Sequence, residues 1–267
     1  MLGKLMKYEI KATGRTLIPL YIALLAFALI NKIFIGAGLA DEIRNLGSIA
    51  FVLSILAYGF TMAAVFIVTF FVIIQRFYKN LLGDEGYLMN TLPVSTASNI
   101  TSKISIATFW NIISGIVAII SIIIITFDAN AFSKFFTYFF NALSQSFSEI
   151  GVQLYIIIIE IIISILVQLI KSVTMIYASM SIGHLFNKHR ILSSFGAFIV
   201  LNIISATISS TIGITFSHSN IISLLNNVES SWPVHAFLIG TIIFNLIFFA
   251  AYFAITHYIL KNKLNLE

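Results

Sequence analysis

Six apolar runs, at residues 16–36, 47–75, 104–127, 151–180, 191–213 and 234–260, constrain this chain more than any other feature. Each reaches the about 20 residues that an α-helix needs to cross the hydrocarbon of a bilayer. Lipid offers no partner to a free N–H or C=O, so runs of this kind span as helices whose backbone bonds close internally. Charged residues are only 9% of the 267, against roughly a quarter in a soluble domain, and cannot clothe a water-facing globule. The expected fold is an all-α integral membrane protein with six transmembrane helices. An amphipathic interfacial helix is expected over 1–15, the membrane domain over 16–260 and a tail over 261–267. No small-residue cleavage site follows the first run, so it reads as a retained span.

The basic residues give the orientation. Lys4, Lys7, Lys11 and Arg15 precede the first run, and Arg76, Lys79 and Lys103 lie in the loop at 76–103. Lys188, Arg190, Lys261 and Lys263 flank the later runs on the same side, making eleven. The opposite side carries three, Lys32, Arg44 and Lys134. The positive-inside rule then places both termini in the cytoplasm, as an even number of spans requires. The formal charge of +5 is thus a membrane signature, and no nucleic-acid partner is expected.

Segments outside the spans carry helical patterns. Over 2–15, Lys4, Lys7, Lys11 and Arg15 share one face and Leu2, Leu5, Met6 and Ile10 the other, with Glu9 inside the apolar face. This is the pattern of a helix lying on a membrane surface. Phe132, Phe135, Phe136, Phe139, Phe140, Leu143 and Phe147 recur at helix spacing, as do Ile221, Leu224, Leu225 and Val228. Both stretches are expected at the outer interface, packed on the bundle or on lipid.

Several chemistries are not signalled. There is no cysteine, no G-x-x-x-x-G-K-[ST] phosphate loop, no H-E-x-x-H and no G-x-S-x-G, and the five histidines are scattered. Catalysis is not expected from this chain, nor a cofactor or metal of its own.

The loop at 76–103 is the richest. Asp84 is placed to cap a short helix through Asn90, and Thr91-Leu92-Pro93 must end it. Ser95 is placed to cap the next helix. Tyr87, Leu88 and Met89 then form an apolar tip suited to a groove on a partner, or fold back under the bundle.

Here the chain resembles a known family. Lys7-Tyr8-Glu9-Ile10-Lys11-Ala12-Thr13-Gly14-Arg15, then Leu17-Ile18-Pro19-Leu20-Tyr21, is similar to the start of ABC-2-type permeases of low-GC bacteria. Gly86-Tyr87-Leu88-Met89-Asn90-Thr91-Leu92-Pro93-Val94-Ser95 resembles their coupling segment. The resemblance implies half of a type V ABC exporter, paired with a second copy and with a cytoplasmic ATPase that holds the ATP and Mg. It implies contacts to that ATPase from Asp84, Glu85, Tyr87, Leu88, Met89 and Leu92, and a smaller contact from 184–190 that includes Phe186, Lys188 and Arg190.

The fourth run holds Glu160 and Lys171, eleven residues and about 16 Å apart on nearly one face, so they cannot pair with each other. Gln153, Ser164, Gln168 and Thr174 lie near the same stripe. A charge in lipid needs water or a partner, so the stripe faces either a translocation route or another helix of the same chain. The expected function is export of an amphipathic or hydrophobic substrate, cationic amphipathic peptides first, across a bacterial cell membrane. The alternative is a peptide-binding immunity module that sequesters its ligand without export.

Overall fold

The computed structural model describes residues 2–37, 46–83, 86, 94–186, 188–218 and 232–263. It is 94% helix, with no strand among the described residues. The α-helices are α1 (Leu2–Gly36), α2 (Leu46–Phe77), α3 (Thr96–Thr126), α4 (Ala129–Ile150), α5 (Gln153–His184), α6 (Arg190–His218) and α7 (Trp232–Asn262). A π-helical turn, Tyr78–Leu82, continues α2. All except α4 are long and apolar enough to cross a membrane, which makes six candidate spans among the described residues. The helix expected over 221–228 lies outside the described residues.

The chain divides into two compact units. The first is Met1–Arg76 with Ser105–Phe140; the second is Phe77–Ile104 with Asn141–Glu267.

In the first unit, the helix expected over 1–15 is not a separate element. It forms the opening turns of α1, which runs unbroken through Pro19. Its apolar face leads into the inner stripe of the span: Leu17, Tyr21, Leu24, Ala28 and Asn31, all buried and spaced four, three, four and three apart. Met6 packs against the same cluster, in which Leu17, Tyr21 and Leu24 meet Val65, Ile106 and Trp110. A continuous seam of this period drives helix packing, so nothing in the sequence breaks the helix at Arg15. Pro19 sits mid-helix, on the exposed side. It removes one backbone donor, a loss that membrane helices tolerate.

Polar bonds order this core. Thr69 donates to the Val65 carbonyl at 2.7 Å, which uses its one proton. The 2.9 Å contact between Thr69 Oγ1 and Ser114 Oγ must therefore be a donation from Ser114. That in turn makes Tyr21 Oη the donor to Ser114 at 2.8 Å. Direction along the chain Tyr21, Ser114, Thr69, Val65 follows from proton inventory alone. Towards the other end of α1, Asn31 Nδ2 reaches the carbonyls of Phe27 at 2.8 Å and Ser54 at 3.2 Å, and Lys32 donates to the Phe127 carbonyl.

In the second unit α5 packs on both α6 and α7. Met175, Ala178 and Tyr252 form a cluster flanked by Phe198, Leu201, Phe248 and Ile255. At the α5–α6 turn the helices come so close that a Cβ on Gly183 would overlap the side-chain oxygen, backbone nitrogen and Cα of Ser194. Only a residue without a side chain fits that crossing. Ser95 Oγ accepts from the Ser98 N–H at 3.2 Å, the N-cap expected at the start of α3.

Candidate functional site

Glu160 and Lys171 of the fourth span each find a partner on α7. His235 Nδ1 lies 2.8 Å from Glu160 Oε2, with both side chains largely buried. The imidazole donates this bond where Nδ1 carries the proton and accepts it from a protonated carboxyl otherwise. Lys171 Nζ donates to Asn245 Oδ1 at 3.0 Å. The same ammonium lies 5.6 Å and 5.7 Å from the ring centroids of Phe244 and Phe248, within cation–π range.

The two pairs fix a direction. From Glu160 to Lys171 is about 16 Å along α5, and from His235 to Asn245 is about 15 Å along α7, at about 1.5 Å per residue. Both steps ascend the chain, so α5 and α7 run the same way. His235 lies in the first turn of α7, one turn beyond Trp232. Glu160 thus sits near one end of the span, while Lys171 is about 16 Å further along. Of the stripe's other polar residues, Gln153 and Gln168 are exposed, Ser164 is half-buried and Thr174 is fully buried.

Sequence reading proposed Glu160 and Lys171 but missed His235 and Asn245. A signal was available in the matched spacing, eleven residues in one run and ten in the other. It becomes meaningful only once α5 and α7 are known to pack together.

A second feature lies where α2 ends and α6 begins. Phe77 stacks on Tyr177 with centroids 4.0 Å apart, and Tyr78 meets the edge of His184 at 6.3 Å. Tyr177 Oη donates to the Lys103 carbonyl at 3.4 Å. The π turn thereby carries the end of α2 onto α5, burying Asn80, Leu81 and Leu82. Beside it opens a depression of about 700 Å³ lined by Tyr78, His189, Arg190, Ile191, Leu192 and Phe195. Arg190 Nε is buried there without a hydrogen-bond partner. His189 holds a left-handed backbone, φ 61°, and its carbonyl accepts from Ser193 N–H at 3.0 Å as α6 starts. Phe186 and Lys188 are exposed just before it.

Of the residues expected to touch an ATPase, Arg190 lines this groove and Phe186 and Lys188 adjoin it in sequence. Asp84, Glu85, Tyr87, Leu88, Met89 and Leu92 lie outside the described residues. At the N-terminus Lys7, Lys11 and Arg15 are exposed and Glu9 is half-buried. Lys4 belongs to α1, and its side chain is not among those described. No cluster of metal-ligating side chains occurs among the described residues. No family model, characterised protein or solved structure matches the chain.

Proposed function

We propose that this chain is the membrane-spanning permease subunit of an ATP-driven exporter, which moves an amphipathic or hydrophobic substrate outward across a bacterial cell membrane. The substrate class that fits best is a cationic amphipathic peptide. ATP and Mg bind a separate cytoplasmic ATPase, and a second copy of the permease completes the transporter. The observation that carries this reading is the groove of Tyr78, His189, Arg190, Ile191, Leu192 and Phe195. It takes lining from the end of α2 and the start of α6, the two ends that the count of basic residues assigns to the cytoplasm. Apolar walls with one guanidinium among them suit a protein segment that brings a carboxylate and an apolar side chain.

The pairs between α5 and α7 support the motor reading in a second way. They hold two co-directional spans as one body, so force applied at the cytoplasmic end of α5 moves α7 with it. Glu160 and Lys171 are engaged inside one chain in this conformation, and a polar route through the dimer then draws first on the exposed Gln153 and Gln168.

The test is co-purification of the chain with a cytoplasmic ATPase from its own cells, followed by ATPase measurement in vesicles with a panel of amphipathic peptides. Stoichiometric association and peptide-stimulated hydrolysis are expected. Arg190→Glu should abolish association while the permease still folds. A chain that purifies alone and binds peptide equally well with and without Arg190 would instead be the sequestering immunity module.

A further inference from the structure

α4 is the helix the transport reading does not use. It is capped at both ends. Asp128 Oδ1 accepts from Asn130 N–H at 3.2 Å, and Gly151 closes the far end with φ 64°, a backbone suited to glycine. Over 22 residues it extends about 33 Å. At about 100° per residue, Phe132, Phe135, Phe136, Phe139, Phe140, Leu143, Phe147 and Ile150 fall within an arc of about 140°. Ser133, Thr137, Asn141, Ser144, Gln145 and Ser148 fill the opposite arc, where the only charges are Lys134 and Glu149. Neighbouring rings touch along the apolar arc, Phe132 with Phe136 at 4.7 Å and Phe135 with Phe139 at 6.1 Å. Yet no described side chain of α4 is buried, and Phe135 and Phe140 remain about 60% exposed.

What covers this face follows from the chain on either side. Two residues, Phe127 and Asp128, separate α4 from the span α3, and two more, Gly151 and Val152, separate it from the span α5. Each end of α4 is therefore held within two residues of a candidate span. The turns of the spans nearest in sequence are apolar and exposed as well, with Ile119, Ile122 and Ile123 on α3 and Tyr155, Ile158 and Ile159 on α5.

We propose that α4 inserts its phenylalanine face into the outer leaflet and reads how loosely the lipid is packed. The polar arc decides the mode. Basic surface helices bind through anionic headgroups, but here one lysine offsets one glutamate and hydroxyls and amides make up most of the rest. Such a helix has little Coulomb attraction to a membrane and inserts only where gaps between headgroups admit its rings. The tethers to α3 and α5 keep the local concentration of α4 at the surface high, so its depth responds to the lipid rather than to encounter. An amphipathic peptide accumulating in that leaflet opens such gaps, and α4 would detect it through the lipid. The inference does not depend on the chain being an exporter.

The absence of cysteine makes the test direct. Phe139→Cys and, on the polar arc, Asn141→Cys are labelled with an environment-sensitive dye, and each full chain is reconstituted in vesicles carrying spin-labelled phospholipid. The label at 139 is expected to be quenched by a shallow acyl-chain spin label, and the label at 141 is not. Quenching at 139 should be about threefold stronger in small unsaturated phosphatidylcholine vesicles than in large saturated ones, and indifferent to added phosphatidylglycerol or salt. Equal quenching at both positions, no dependence on packing, or dependence on anionic lipid overturns the proposal. So does a label at 139 that ignores spin-labelled lipid but responds to a spin-labelled amphipathic peptide, which would make α4 a peptide-docking helix.

Discussion

Lys171 of α5 donates to Asn245 of α7 across 3.0 Å, with the rings of Phe244 and Phe248 on the ammonium's flank. An amide and two aromatic faces accommodate a lysine where lipid would otherwise meet it. Together with Glu160 and His235, this contact ties two spans at two heights.

The tie is asymmetric. Asn245→Leu leaves an ammonium among apolar groups and should cost about 1.5–3 kcal/mol, whereas Lys171→Met leaves only a neutral amide and should cost less. The double variant should recover most of the loss. Thermal unfolding of the three proteins in detergent checks the order; equal and negligible losses for both single variants would refute it.

The proton chain of the first unit makes a similar ranking. Tyr21→Phe removes a donor but leaves Ser114 donating to Thr69, a change worth under about 1 kcal/mol. Ser114→Ala strands the Tyr21 hydroxyl and deprives Thr69 of its donor at once, and should cost about 1–3 kcal/mol. Unfolding midpoints in the same detergent decide, and a larger loss for Tyr21→Phe would reverse the assigned bond directions.

Gly183→Ala should sharply reduce the yield of folded protein, because the new methyl overlaps the backbone of Ser194 as well as its hydroxyl. Adding Ser194→Gly removes only the hydroxymethyl group, so it should not restore the yield. Size-exclusion profiles of the single and double variants would show this. Full rescue would mean that the backbones are further apart than described.

His189 tests the groove without touching its apolar walls. Its left-handed backbone suits glycine, so His189→Gly should keep or raise stability, while His189→Val should lose about 1–2 kcal/mol. If the proposed ATPase partner docks in this groove, His189→Gly should retain it in the co-purification assay where the groove's shape matters more than the imidazole. Release of the ATPase by the glycine variant would assign the contact to the ring itself.

The spans and α4 were legible in sequence because apolar run length and helical phenylalanine spacing are local signals. Ser95 as a cap is local too. The continuity of α1 through Arg15 was not legible because a surface helix and the outer turns of a long span share one pattern, lysines on one face and apolar groups on the other. What distinguishes them is whether the apolar face stays in register with the span, and Met6, Thr13 and Leu17 do. His235 and Asn245 were missed for a different reason. An isolated polar residue in an apolar run carries no local mark of its partner, and the pairing appears only in the packing of α5 against α7.

The rungs between α5 and α7 also have a consequence in time. Asn245 lies 74 residues after Lys171, which at about 5–20 residues per second is roughly 4–15 s of synthesis. Through that interval the fourth span has been made while the residue that will cradle its lysine does not yet exist. The nascent chain must hold α5 beside water or at the insertion machinery until α7 emerges. A chain ended after α6 would therefore carry Lys171 without the Asn245 amide and without the rings of Phe244 and Phe248.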